Sequence, residues 1–84
     1  MSLTNRKPLA SLPNVAERVR LRNLYGATQT EVARHCGITR KTVYQWERRE
    51  NIAPCRERES YAELLASWAA TETRLRAELK AGGE

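Results

Sequence analysis

Gln29-Thr30-Glu31-Val32-Ala33-Arg34-His35-Cys36-Gly37-Ile38, followed by Thr39-Arg40-Lys41-Thr42-Val43-Tyr44-Gln45-Trp46, is the stretch that decides the fold. Two short helices that cross steeply need a small residue where they touch, and Ala33 supplies it. Four residues later Gly37 fits a sharp corner, because a left-handed backbone costs glycine nothing. Val32, Cys36, Ile38, Val43 and Trp46 then fall at helical spacing on the inward faces. On the outside of the second helix this leaves Arg40, Lys41, Tyr44 and Gln45, with Arg48 just beyond.

The same logic extends in both directions. Asn14 followed by Glu17 reads as a capping box opening a first helix, with Val15, Ala16, Val19, Leu21 and Leu24 as its apolar side and Gly26 as its stop. Thr28 and Glu31 cap the second helix, which ends at Gly37. A third begins after Thr39 and is expected to reach about Glu50. Asn51-Ile52-Ala53-Pro54 is a break, since proline does not continue a helix interior. Ser60 and Glu63 form another cap signature, predicting a helix from Tyr61 to about Lys80, roughly 30 Å long at ~1.5 Å per residue. Residues 1–13, with Arg6, Lys7, Pro8 and Pro13, have no periodicity and read as a flexible basic arm. No strand-like alternation and no repeat occurs. The organisation expected is arm 1–13, a helical domain 14–59 and a closing helix 60–84, all-α and compact.

Tyr61, Leu64, Leu65, Trp68, Leu75 and Leu79 form a stripe along the last helix. Its length exceeds what a bundle this small needs for cover. Its first turns are expected to close the core and the rest to pair with a second subunit, with Trp68, Leu75 and Leu79 as the homodimer contact. The heptad is too short for an extended coiled coil.

The chain has 84 residues and a net charge of +5. Residues 1–59 hold twelve Lys and Arg against six acids, whereas residues 60–84 hold three against four. The basic surplus therefore sits with the two-helix unit and suits a polyanion, whose neutralised phosphates release counterions. Two cysteines cannot build a disulfide scaffold, and a single histidine, His35, gives no zinc ligand set. Cys36 reads as a small core residue, Cys55 as a free thiol, and no metal or cofactor is expected. The absence of a long apolar run leads us to expect no membrane span or signal peptide, and a reducing cytoplasmic location.

A helix-turn-helix with this outer face is suited to the major groove of double-stranded DNA. Its second helix reaches base edges from the first turns, while flanking cations hold phosphates. Arg40 and Lys41 can contact guanine acceptors or nearby phosphates. Gln45 can donate to and accept from adenine, and Tyr44 can pack on a thymine methyl. Thr39 opens the helix beside them, and Arg48, Arg49 and Gln29 are expected on the backbone, with Arg34 and Thr30 as weaker candidates. A domain this small reads few base pairs, so two copies on an inverted repeat are expected. A protein that occupies a promoter blocks polymerase, which makes repression the economical outcome. An enzyme is disfavoured, because Glu31, Glu47, Glu50 and His35 lie on different helix faces.

From Arg22 to Glu47 the chain resembles the Cro/lambda-repressor, or XRE-type, family. The residues that carry this are Arg22, Thr28-Gln29, Glu31, Val32-Ala33, Gly37-Ile38-Thr39, Thr42-Val43 and Trp46-Glu47. The resemblance implies a four- to five-helix lambda-repressor-like DNA-binding domain, here with a longer C-terminal helix. It also implies an inward ion pair between Arg22 and Glu47 and a phosphate contact from Gln29. A small phage or plasmid repressor, a dimer on its operator with a co-repressor protein as a further partner, follows from the family alone. The likeness weakens after Glu47, where the family's glycine two residues on is replaced by Arg49. The run Gly37 to Trp46 is also similar to transposases and phage terminase small subunits, which makes a DNA-binding subunit of a larger machine the alternative.

Overall fold

The computed structural model describes residues 12–82, with side chains to Lys80. Four helices make up the described chain: α1 Val15–Leu24, α2 Gln29–Cys36, α3 Arg40–Trp46 and α4 Arg56–Gly82. Of the expected arm, residues 1–11 lie outside the described residues. Leu12 packs against the core, and the Pro13 carbonyl accepts from Arg18, so the ordered body begins before Asn14.

Each of the first three helices starts on a side-chain cap of the kind its sequence announces. Asn14 accepts from the Glu17 N–H at 2.8 Å, Thr28 from the Glu31 N–H at 3.0 Å and Thr39 from the Thr42 N–H at 3.1 Å. Only α2 closes a full capping box, in which the Glu31 carboxylate also accepts from the Thr28 N–H. At α1 the reciprocal half is missing, since Glu17 turns its carboxylate to Arg20 instead. The corner between α2 and α3 is left-handed at Gly37, with φ +75°, and the Ile38 N–H reaches back to the Ala33 carbonyl at 2.9 Å. A Cβ there would meet nothing within 4 Å, so backbone conformation alone demands glycine.

The core joins Leu21 of α1, Val32, Ala33 and Cys36 of α2, Val43 of α3, and Tyr61 and Leu65 of α4. Ile38 and Trp46 pack partly buried against it, so the inward pattern of the two-helix unit is realised. Burial among apolar neighbours also pushes the Cys36 thiol pKa up, in keeping with a packing role.

Three expectations need correction. On α1 the face turned inward carries Arg18 and Leu21, while Leu24 is 53% exposed. α3 stops at Trp46 rather than near Glu50. The cause is Arg18, 1% exposed, whose guanidinium donates to four main-chain carbonyls: Pro13 at 2.7 Å, Trp46 at 2.8 Å, Arg49 at 2.6 Å and Glu50 at 2.8 Å. Those carbonyls converge on one side chain only if the chain leaves the helical path after Trp46. Finally, α4 begins at Arg56, ahead of Ser60. Cys55 takes the capping position, its carbonyl accepting from the Glu59 N–H and its sulfur from the Arg58 N–H. The helix therefore spans about 40 Å at ~1.5 Å per residue.

Candidate nucleic-acid interface

α3 is held from behind and bare in front. Its inner side is anchored by Val43, fully buried, and by Trp46, whose ring lies 5.1 Å from that of Tyr61. Its far end is fixed twice, by Arg18 as above and by Glu47. The Glu47 carboxylate, 8% exposed, accepts from Nε and Nη2 along one edge of the Arg22 guanidinium. Arg22 also donates to the Ala27 carbonyl at 3.0 Å, so one side chain ties together α1, the turn before α2 and the end of α3. A bidentate pair of this kind fixes an arrangement more surely than it adds stability.

The outer surface follows from what these anchors consume. Between Thr39 and Arg49 the exposed residues are Thr39, Arg40, Lys41, Tyr44, Arg48 and Arg49, none of them acidic. The acid of this segment, Glu47, is turned inside and neutralised. Tyr44 is 46% exposed, and the Arg48 guanidinium sits 5.0 Å from the centre of its ring, which braces a mobile cation against a flat surface. Gln45 is half-buried and shares a helix face with Lys41, one turn away.

Two of the expected contact residues have their polar atoms partly engaged. Thr39 is exposed, yet its hydroxyl caps Thr42 and lies 3.0 Å from the Thr42 hydroxyl. Gln29 donates to Glu47 at 3.0 Å and receives Arg40 at 3.4 Å. It is thus a bridge from the buried pair to the outer face. Arg22, Ala27, Thr28, Gln29, Arg40 and Tyr44 line a shallow groove between the starts of α2 and α3. This groove and Arg18 were not legible as features of the site. Arg18 lies on the α1 face of Leu21 and Arg22, a placement that periodicity alone assigns to solvent for an arginine.

The remaining expected residues lie elsewhere. Trp68 stacks within the chain on Tyr25, centroids 5.3 Å apart at 15°, and its carbonyl accepts from the Tyr25 hydroxyl. Leu75 and Leu79 are 48% and 75% exposed on the outer part of α4. Glu31 serves the α2 cap, Glu47 holds Arg22, and Glu50 accepts from the Val15 N–H, so these acids do not converge on one pocket.

Residues 17–53 match the model of a protein family described as a helix-turn-helix domain. Comparison of the chain with curated proteins and with solved structures found no match. Architecture and family match agree on the class: the segment is a helix-turn-helix, carried, among the described residues, in an all-helical fold with a long C-terminal helix. No helix of the described residues is long and apolar enough to cross a membrane.

Proposed function

We propose that the chain is a sequence-specific double-stranded DNA-binding regulator of the Cro/lambda-repressor type, acting as a cytoplasmic repressor on an inverted-repeat operator. The observation that carries this is the composition of the surface of α3 and the turn after it: four cations and a phenol are exposed beside the half-buried amide of Gln45, and the acid among them is buried against Arg22. α3 lies in the major groove, with Arg40, Lys41, Tyr44 and Gln45 toward the bases. Arg48 and Arg49 lie against one strand's phosphates. Gln29 reaches the backbone on the other side of the groove, from the start of α2. Each copy reads only a few base pairs, so a second copy related by a two-fold axis supplies the rest, with recognition helices about 34 Å apart.

Selection of bound sites from a random duplex library tests this directly. An inverted repeat is expected among the winners, and no enrichment over bulk competitor would refute it. On the selected site, Gln45→Ala should lower the preference for the best sequence by roughly tenfold, the worth of one good base contact of about 1–3 kcal/mol. Arg48→Ala should instead weaken all duplexes alike and reduce the salt slope by about one.

A further inference from the structure

The large apolar side chains that remain exposed among the described residues are Leu24, Tyr25, Tyr44, Leu75 and Leu79. Tyr44 belongs to the α3 surface. The other four line a single groove between the end of α1 and the outer part of α4, with Glu72 and Arg76 on its lip. Exposed apolar surface concentrated in this way, rather than scattered singly, marks a contact surface.

We infer that this groove seats a second copy of the chain, the α4 ends of the two copies packing antiparallel across a two-fold axis. The inference deepens the two-fold part of the reading above and relocates its contact. Trp68, stacked on Tyr25 within the chain, backs that ring, and Leu24, Tyr25, Leu75 and Leu79 become the working surface.

Three features select a second copy as the occupant. The ligand the groove needs is its own outer wall: from Thr73 to Lys80 every side chain of α4 is exposed, and this helix end carries Leu75 and Leu79 one turn apart. A groove and a matching ridge on one chain are satisfied together by an isologous pairing. Charge sets the direction. Glu72, which also accepts from Arg20 of α1 at 2.9 Å, and Arg76 lie one turn apart and pair with each other at 2.9 Å. An antiparallel copy centred between them sets each acid against the partner's base, whereas a parallel copy sets like against like. Area sets the strength. A helix end about 15 Å long and 10 Å across, with the groove it borders, offers on the order of 600 Å² per copy and about 1,200 Å² in the pair. That is the lower edge for a specific interface, so the dimer is expected in the micromolar range. No residue of α3 takes part, which leaves both recognition helices free.

The test is sedimentation equilibrium of the full chain without DNA, at about 1 to 200 μM, on the wild type, Leu79→Glu and Leu24→Glu. Both positions are more than half exposed, so neither change reaches the core, and circular dichroism checks that helix content is kept. The wild type should rise from monomer to dimer mass, and each variant should weaken dimerisation at least tenfold. The inference falls if the wild type is monomeric throughout or assembles beyond two copies. It falls equally if either variant dimerises as the wild type does. Titration of the same proteins with a single half-site separates the two readings: a chain that dimerises as described yet shows no preference among duplexes refutes the DNA reading alone.

Discussion

Replacing Arg18 by methionine tests how the end of the recognition helix is held. The substitution keeps most of the side-chain volume and removes a guanidinium that donates to the carbonyls of Pro13, Trp46, Arg49 and Glu50. Arg49 and Glu50 are exposed residues, so their carbonyls regain water at small cost. Pro13 and Trp46 are half-buried, and their carbonyls would stay covered and unpaired at ~1–3 kcal/mol each. Relief from burying a cation offsets part of this, leaving an expected loss of about 3 kcal/mol. For a domain of this size, holding roughly 8 kcal/mol in all, that is a large fraction and lowers Tm by about 15 °C. Urea titration followed by tryptophan fluorescence, with thermal melts by circular dichroism, gives the value. Arg18→Lys should fall between, since one ammonium cannot span four carbonyls around a planar fork. A loss below about 1 kcal/mol for the methionine variant would show that the loop after α3 keeps its path without Arg18, and the account of why α3 ends at Trp46 would be wrong.

Gly37→Ala should cost about 1 kcal/mol in the same assay, because the space is open but φ is +75°; an unchanged midpoint would refute the claim that the corner needs a left-handed residue. Trp68→Ala should cost about 2 kcal/mol by uncovering Tyr25 and the edge of the core, and a change under 0.5 kcal/mol would show the stack to be incidental. Hydrogen bonding and charge from Arg20 hold the carboxyl pKa values of Glu17 and Glu72 below their ordinary 4.5. The folded form is the more acidic one, so this link between α1 and α4 contributes above pH 4.5 and is lost as pH falls through the lowered values. Carboxyl titration by NMR should find both groups low and Arg20→Gln should return them toward 4.5; no response to that change would contradict the bridge.

How much was legible in the sequence varied with the range of the interaction. Thr28 with Glu31, Gly37, Thr39, and the inward set from Val32 to Trp46 all act within one or two helical turns, so the two-helix unit could be read residue by residue. The basic outer face of α3 was legible for the same reason: positions 40, 41, 44 and 48 follow once the inward positions are known. Arg18 was not. A buried arginine depends on carbonyls 28 to 32 residues away, which no local pattern encodes. The start of α4 was misplaced by a similar cause, because Ser60 and Glu63 form a valid cap signature that the helix simply runs through from Cys55.

The sequence by itself thus determined four helices, a glycine corner, a cationic outer surface and a final helix too long for its own core. Tertiary structure decided which side of α1 faces inward, where α3 stops, that Gln29 bridges Glu47 to Arg40, and that Trp68 packs at home. Periodicity and capping act between neighbours in the chain, whereas a guanidinium shared among distant carbonyls, or a ring stacked across helices, exists only once the helices have met.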